Sequence, residues 1–266
     1  MGFDDIRKIE NEAEQVNAIY KVFDENSRLN GSKAARVEFL TTVRAIEEYL
    51  RPGCRILDIG AGAGEYSLHF AGKGYEVFAI ELADSNIAAF RRKIRAEDKI
   101  ELRQGNALDL GCYADESFDI VLLFGPLYHL HSPGDRARAV EEAKRVCKKD
   151  GKLFFAFITN DFVILTELMW NSRYFTEGDY DKESFRLHDF PFVFATVDRA
   201  REMLKENGVK IIREIAADGV SELLQDKINA MDEENYQQYL RYHYYISEKP
   251  ELLGMTNHLL IVGCKE

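Results

Sequence analysis

The chain has 266 residues, 46% hydrophobic and 30% charged, enough apolar sequence to bury the core of an ordinary globular domain. Its 46 acidic and 35 basic residues leave a formal net charge of −11, which works against wrapping a nucleic-acid backbone, and no run approaches the roughly 18 apolar residues of a membrane span. The opening MGFDDIRKIENEAEQ is too acidic for a signal or transit peptide, so a cytoplasmic location is expected.

Polar and apolar residues mix at helical spacing through about Asn26, and Asn30-Gly31-Ser32 breaks the pattern. A second helix is predicted from about Ser32 to Leu50, with Phe39, Leu40, Val43, Ile46 and Leu50 on one face and Pro52-Gly53 ending it. Beyond these N-terminal helices (residues 1–50), short apolar runs alternate with helical segments. The runs predict strands at 55–59, 76–81, 100–104, 120–124, 152–158, 210–216 and 258–264, with helices at 66–72, 84–96, 134–148 and 197–207. That alternation implies an α/β, Rossmann-like, doubly wound sheet of seven strands, mostly parallel, whose last strand can return antiparallel at the edge. The basic run Arg91, Arg92, Lys93 and Arg95 falls in one helix and reads as a solvated face. Cys54, Cys112, Cys147 and Cys264 form no Cys-x-x-Cys pair and read as reduced structural thiols.

A single domain is expected, with a core at 53–158 and two insertions. The first, about 160–196, is rich in aromatics; the second, 218–257, contains DEENYQQYLRYHYY and reads as helical. Both follow strands, where loops can fold over a ligand. They read either as a lid carrying Trp170, Tyr174, Phe175, Tyr239 and Tyr242, or as extra core or a dimer interface.

The strand Ile56-Leu57-Asp58-Ile59 runs into Gly60-Ala61-Gly62-Ala63-Gly64, and a helix follows. Glycines there permit positive φ and let a ligand approach the backbone. A dinucleotide loop wants glycine at its sixth place, where Glu65 stands, and a phosphate loop wants Lys-Ser/Thr, which is absent. Asp58, two residues before the first glycine, can accept from a cationic amino group. Glu81, about 20 residues after the loop at the end of the second strand, can accept both hydroxyls of a ribose. Asn106 and Ala107, in Gln104-Gly105-Asn106-Ala107-Leu108, can read an adenine edge, although Gly-Asn is also ordinary turn chemistry.

These residues, with the fourth strand FDIVLLF, resemble the class I S-adenosylmethionine-dependent methyltransferases over about residues 53–158. The resemblance implies a seven-stranded sheet with an antiparallel final strand. It implies S-adenosyl-L-methionine as cofactor and S-adenosyl-L-homocysteine as product; the resemblance does not supply the substrate, and a small-molecule methyl acceptor is expected from the net acidity of the chain and its insertions. It places Asp58, Gly60 and Gly62 at the methionine end, Glu81 at the ribose, and Asn106 and Ala107 at the adenine, with Ala61, Gly64, Leu82 and Phe124 also expected to bind the cofactor. Many members have Asp where Asn106 stands. Gly125-Pro126-Leu127-Tyr128-His129-Leu130, with Arg28-Leu29 and Glu38-Phe39-Leu40, resembles a largely uncharacterised bacterial subgroup.

Methyl transfer from a sulfonium needs positioning and exclusion of water, and needs a base only when the nucleophile must lose a proton. Tyr128, His129 and His131 follow the fourth strand, where the acceptor is expected; Tyr128 and His129 are the catalytic candidates beside the reading that they pack and cap. His129-x-His131 alone is too little for a metal site, and none is expected. The segment lacks the amide of an Asn-Pro-Pro-Tyr signature, which disfavours DNA-base or glutamine methylation. Tyr245-x-x-x-Lys249 has the spacing of short-chain dehydrogenases but lies too late for an NAD-dependent oxidoreductase. A non-catalytic cofactor-binding module stays open, as does the choice between monomer and homodimer.

Overall fold

The computed structural model describes residues 2–23 and 25–266. Four helices come first: α1 (Phe3–Ile6), α2 (Glu12–Val22), α3 (Glu25–Arg28) and α4 (Lys33–Glu47). The core then alternates β1 (Arg55–Ile59), α5 (Glu65–Gly72), β2 (Glu76–Glu81), α6 (Asp84–Lys93), β3 (Ile100–Gln104), β4 (Phe118–Leu123), α7 (Pro133–Val146) and β5 (Cys147–Thr159). After β5 come α8 (Asn160–Glu167), α9 (Tyr174–Glu177), β6 (Phe194–Ala195), α10 (Val197–Glu206) and β7 (Val209–Ala216). The chain closes with α11 (Gln225–Asn229), α12 (Glu233–Ile246) and β8 (His258–Lys265).

Hydrogen bonding orders the sheet β3-β2-β1-β4-β5-β8-β7, with β6 paired to the end of β5. The sheet therefore has eight strands, one more than expected: β6 is two residues long, too short to leave a period in the sequence, and it pairs only through Ile158–Phe194 and Thr159–Ala195. As expected, β8 returns antiparallel, but it inserts between β5 and β7 rather than lying at the edge, which β7 takes by pairing with β8 alone. The order reverses between β1 and β4, so the crevice beyond their C-terminal ends is where a ligand site belongs.

Alternation along the strands builds two cores. Leu57, Ile59, Val121, Leu123 and Phe155 face α7 and α10, while Ile56, Val77, Ile120, Leu122 and Phe154 face α4 and α5. Helix α4 starts on Ser32, whose side chain accepts from the Ala35 N–H, and it buries Phe39, Val43 and Ile46 against the sheet. Its other flank packs against Tyr236 and Leu240 of α12. The second insertion thus buttresses α4 with its longest helix. Cys54 and Cys147 are buried free thiols, and Arg91 and Arg92 close α6 at the end of the helix that favours cations. Among the described residues no helix is long and apolar enough to cross a membrane.

Candidate functional site

The turn after β1 takes positive φ at Gly60 (+74°), Gly62 (+55°) and Gly64 (+85°), conformations that L side chains rarely adopt. What glycine avoids here is protein rather than ligand. A Cβ on Gly60 would stand 2.6 Å from Cδ of Pro126, and one on Gly64 would stand 2.3 Å from the Phe90 ring. Gly64 then caps α5 in the left-handed conformation. Asp58 lies beneath the turn, 1% exposed, with Oδ2 accepting from Ser67 Oγ at 2.7 Å. Burial pushes its carboxyl up to about 7, against the Ser67 hydrogen bond, and the nearby Glu81 charge adds to the rise.

Glu81 organises the loop from the next strand. Its Oε2 accepts the Gly62 N–H at 2.7 Å; its Oε1 accepts the Ala83 N–H at 2.8 Å and the Asn86 amide at 3.4 Å. Burial raises its pKa, and these donors oppose the rise. An ionised carboxylate has about four lone-pair sites, and these donors take three, so at most one is left for a hydroxyl of a ligand. Glu65 turns away, to Lys93 at 2.6 Å and to Asn30.

A cavity of about 600 Å³ opens over the ends of β1, β2 and β3. Of the residues expected to bind a cofactor, Gly60, Glu81, Leu82, Asn106 and Ala107 line it. Asp58, Ala61, Gly62, Gly64 and Phe124 do not; Phe124 packs edge-on to Tyr66 instead. Asn106 accepts the Leu108 N–H at 3.0 Å through Oδ1, so its carbonyl makes the turn and its amide NH₂ is the group left for a ligand. The cavity is roofed by α2, which contributes Glu12, Ala13, Val16 and Tyr20. Helix α2 is fastened on two sides. Asn17 Oδ1 accepts from the Asp84 N–H at 3.0 Å and the Tyr20 carbonyl from Ser85 Oγ at 3.0 Å, both on the α6 side. Across the cavity, Glu12 accepts the His131 N–H at 3.0 Å, and the Tyr20 hydroxyl meets His129 Nε2 at 2.8 Å.

Burial pushes the His129 pKa down to about 3, with His131 adding to the shift, and Nδ1 is a buried atom without a hydrogen bond. The ring, expected as a catalytic candidate, thus meets Tyr20 of the roof through Nε2 and lines the cofactor-side cavity rather than the larger one beside it. Tyr128, the other candidate, does line the larger cavity, and burial raises its pKa so that its hydroxyl stays protonated.

The larger cavity, of about 2,060 Å³, adjoins the first at Tyr20. Phe23, Tyr128, Phe190 and Phe192 form aromatic wall; at the sheet edge lie Arg28, Glu38, Asp218, Glu222 and His258. Arg28 donates to Glu25 at 3.0 Å and Glu38 at 2.6 Å. His258 Nδ1 donates to Asp218 Oδ2 at 2.8 Å and lies 3.3 Å from Glu38. Atoms of Glu38, Asp218 and His258 come within 4.8 Å of one another, close enough for a metal ion. Here, however, Arg28 already sits on Glu38 and a ring N–H on Asp218, so the cluster is a self-neutralising ion-pair network.

The aromatic residues of the two insertions are spread over cavity and surface. Tyr174 borders the cavity, whereas Trp170 is 72% exposed and Phe175 and Tyr242 are also exposed; Tyr239 bonds Ser221. Lys249, just past α12, lies over the exposed ring of Tyr245 at 3.9 Å, and both stand outside the two cavities. Tyr20, Asp218 and His258 were missed in the sequence because each meets its partner at a sequence separation of 38 or more. Arg28 and Glu38 carried a signal, the subgroup resemblance, but no role.

Residues 57–155 match the family described as "Methyltransferase domain". Over 114 residues the chain is 31% identical to the demethylmenaquinone methyltransferase of Clavibacter sepedonicus, covering 43% of this chain and 44% of that protein. The chain thus spans less than two thirds of the length of the curated relatives it matches. Among solved structures, the PH0226 protein from Pyrococcus horikoshii OT3 aligns over 94% of this chain and 99% of its own, with a TM-score of 0.61 at 19% identity. The magnesium protoporphyrin IX methyltransferase from Synechocystis PCC 6803, with bound SAH, aligns over 96% and 100% with a TM-score of 0.58 at 13% identity. Both show the same fold.

Proposed function

Since the chain carries a class I S-adenosylmethionine-dependent methyltransferase domain, we propose that it transfers the sulfonium methyl group in line to an oxygen or nitrogen of a small molecule. The observation that carries this reading is the pairing of two cavities at Tyr20: one over the glycine turn and Glu81, the other larger and aromatic-walled. The first fits a nucleoside with an amino-acid tail. It offers a carboxylate with one acceptor site to spare at the ribose, an Asn106 amide and Ala107 backbone at the base, and no lysine among its lining residues.

When bound, the cofactor supplies an electrophilic methyl group on a positively charged sulfur. The protein's work is binding, orientation and drying. In this reading Glu81 accepts a ribose hydroxyl while holding Gly62 in place, and Asp58, below the turn and outside the cavity lining, supplies negative charge toward the ammonium of the tail. Helix α2, clasped by Tyr20 and His129, closes the site to water. Transfer dissipates the positive charge on sulfur, so a cavity from which water is excluded favours it. Tyr128, a protonated hydroxyl beside the junction, orients the acceptor.

Incubation with methyl-tritiated S-adenosylmethionine and a library of small hydroxyl and amine acceptors tests the reading. Label should pass to an acceptor with one S-adenosylhomocysteine formed per methyl. Cofactor binding without transfer to any acceptor would replace the enzyme by a binding module.

A further inference from the structure

Asp218 and His258 make a second polar device, one that neither cofactor binding nor methyl-group orientation uses. His258 opens β8 opposite Ile158, at the end of the sheet edge on which β1 and β4 also terminate. It lines the large cavity, and it also shares with Phe124, Tyr128 and Arg28 a smaller space of about 310 Å³ that leads back toward the end of β4. A buried carboxylate fixes its ring. Asp218 accepts from Nδ1 at 2.8 Å, from the His258 backbone N–H at 3.1 Å, and from the Thr256 hydroxyl. Among the described residues Nε2 has no hydrogen-bond partner. A histidine with one nitrogen held by a buried aspartate and the other open to a cavity is arranged to exchange a proton with whatever occupies that cavity.

Resting on the methyltransferase reading above, we propose that His258, oriented by Asp218, is the acid–base residue of the acceptor cavity, and that the acceptor is an aromatic hydroxyl. As the acceptor oxygen forms its bond to the methyl carbon, the carbon–sulfur bond breaks, its electron pair stays on sulfur as a neutral thioether, and the hydroxyl proton passes to Nε2. The imidazolium so formed is stabilised by Asp218 and later yields the proton to water.

The surroundings favour this acceptor on two further grounds. The rings of Phe23, Phe190 and Phe192 wall the cavity and suit a flat apolar body. The groups facing His258 are Glu38 from α4, Arg28 from α3, and Asp218 and Glu222 from the segment after β7. Burial works against the charged ring, but Glu38 and Asp218 outweigh it and Arg28, holding the pKa at about 9. A base of that strength lies about one unit from a phenolic proton near 10, where transfer is close to balanced, and far from an aliphatic alcohol.

The test uses the full chain, S-adenosylmethionine and a matched pair of probes, 2-naphthol and 2-naphthylamine. Naphthol should be methylated, with kcat/KM rising about tenfold per pH unit up to about 9. His258→Ala and His258→Gln should lower kcat about 10²- to 10⁴-fold while leaving S-adenosylhomocysteine affinity within about twofold. Asp218→Asn should move the pH limb to lower values, which separates it from the ionisation of naphthol itself. Transfer to the amine but not the naphthol, full activity in both His258 variants, or an unmoved limb would overturn the inference. Failure of the wild type to bind S-adenosylhomocysteine would instead remove the methyltransferase reading on which it rests.

Discussion

The Tyr20 hydroxyl stands 2.8 Å from Nε2 of His129, a contact across 109 residues of chain that closes an N-terminal helix over the crevice at the end of β1. A single hydrogen bond of this kind contributes about 1 kcal/mol. Tyr20→Phe should therefore weaken S-adenosylhomocysteine binding about fivefold, chiefly through faster release, as read by stopped-flow dissociation. Because burial holds His129 neutral with a pKa near 3, this effect should not vary between pH 5 and 8.

Asp58 gives a pH signature in stability. Its pKa is raised to about 7 in the fold, against about 3.9 unfolded, so between those values the folded state holds the extra proton. Its contribution to stability is therefore greatest below about pH 4 and falls as pH rises through 7. Asp58→Asn, which keeps an acceptor for Ser67, should flatten the decline of Tm between pH 5 and 8 and leave the variant more stable than the wild type at pH 8. The same variant should bind S-adenosylhomocysteine more weakly. A Tm difference that does not change with pH would show that Asp58 titrates elsewhere.

Gly64 and Gly74 separate a strained turn from a crowded one. Both have φ near +85 to +89°, but a Cβ at Gly64 runs into Phe90 at 2.3 Å while one at Gly74 meets nothing within 4 Å. Left-handed backbone alone costs an alanine about 1–2 kcal/mol, and overpacking adds about 1–3. Denaturant unfolding should show Gly64→Ala destabilised by about 2–5 kcal/mol and Gly74→Ala by no more than about 2.

Trp170, the single tryptophan, is 72% exposed and borders neither cavity. Its fluorescence should be quenched by acrylamide equally with and without S-adenosylhomocysteine. Trp170→Ser should change stability by no more than about 0.5 kcal/mol.

How much of this was legible depended on how local each feature is. Strands β1, β2 and β3 fall on the residues their apolar runs predict, and α4 buries the Phe39, Val43 and Ile46 face read from its spacing. Glu81 was visible because strand and turn set its distance from the glycines. β6 was not, because two paired residues make no pattern. The roof over the cofactor-side cavity escaped because Tyr20 in α2 is an ordinary amphipathic-helix residue until His129 is brought to it. The Asp218–His258 pair was hidden likewise, and the second insertion reads equally as lid, extra core or interface because the apolar face of α12 does not say that α4 is its partner.

The most direct measurement is calorimetric titration of S-adenosylhomocysteine into the wild type and into Glu81→Gln. The wild type should bind one equivalent, and the variant, which keeps the size of the side chain but loses its charge and one acceptor, should bind at least about tenfold more weakly, as loss of a charge-assisted hydrogen bond requires. Equal affinity in the two proteins, or binding of NADH in place of S-adenosylhomocysteine, would contradict the assignment of the cavity under α2 to S-adenosylmethionine.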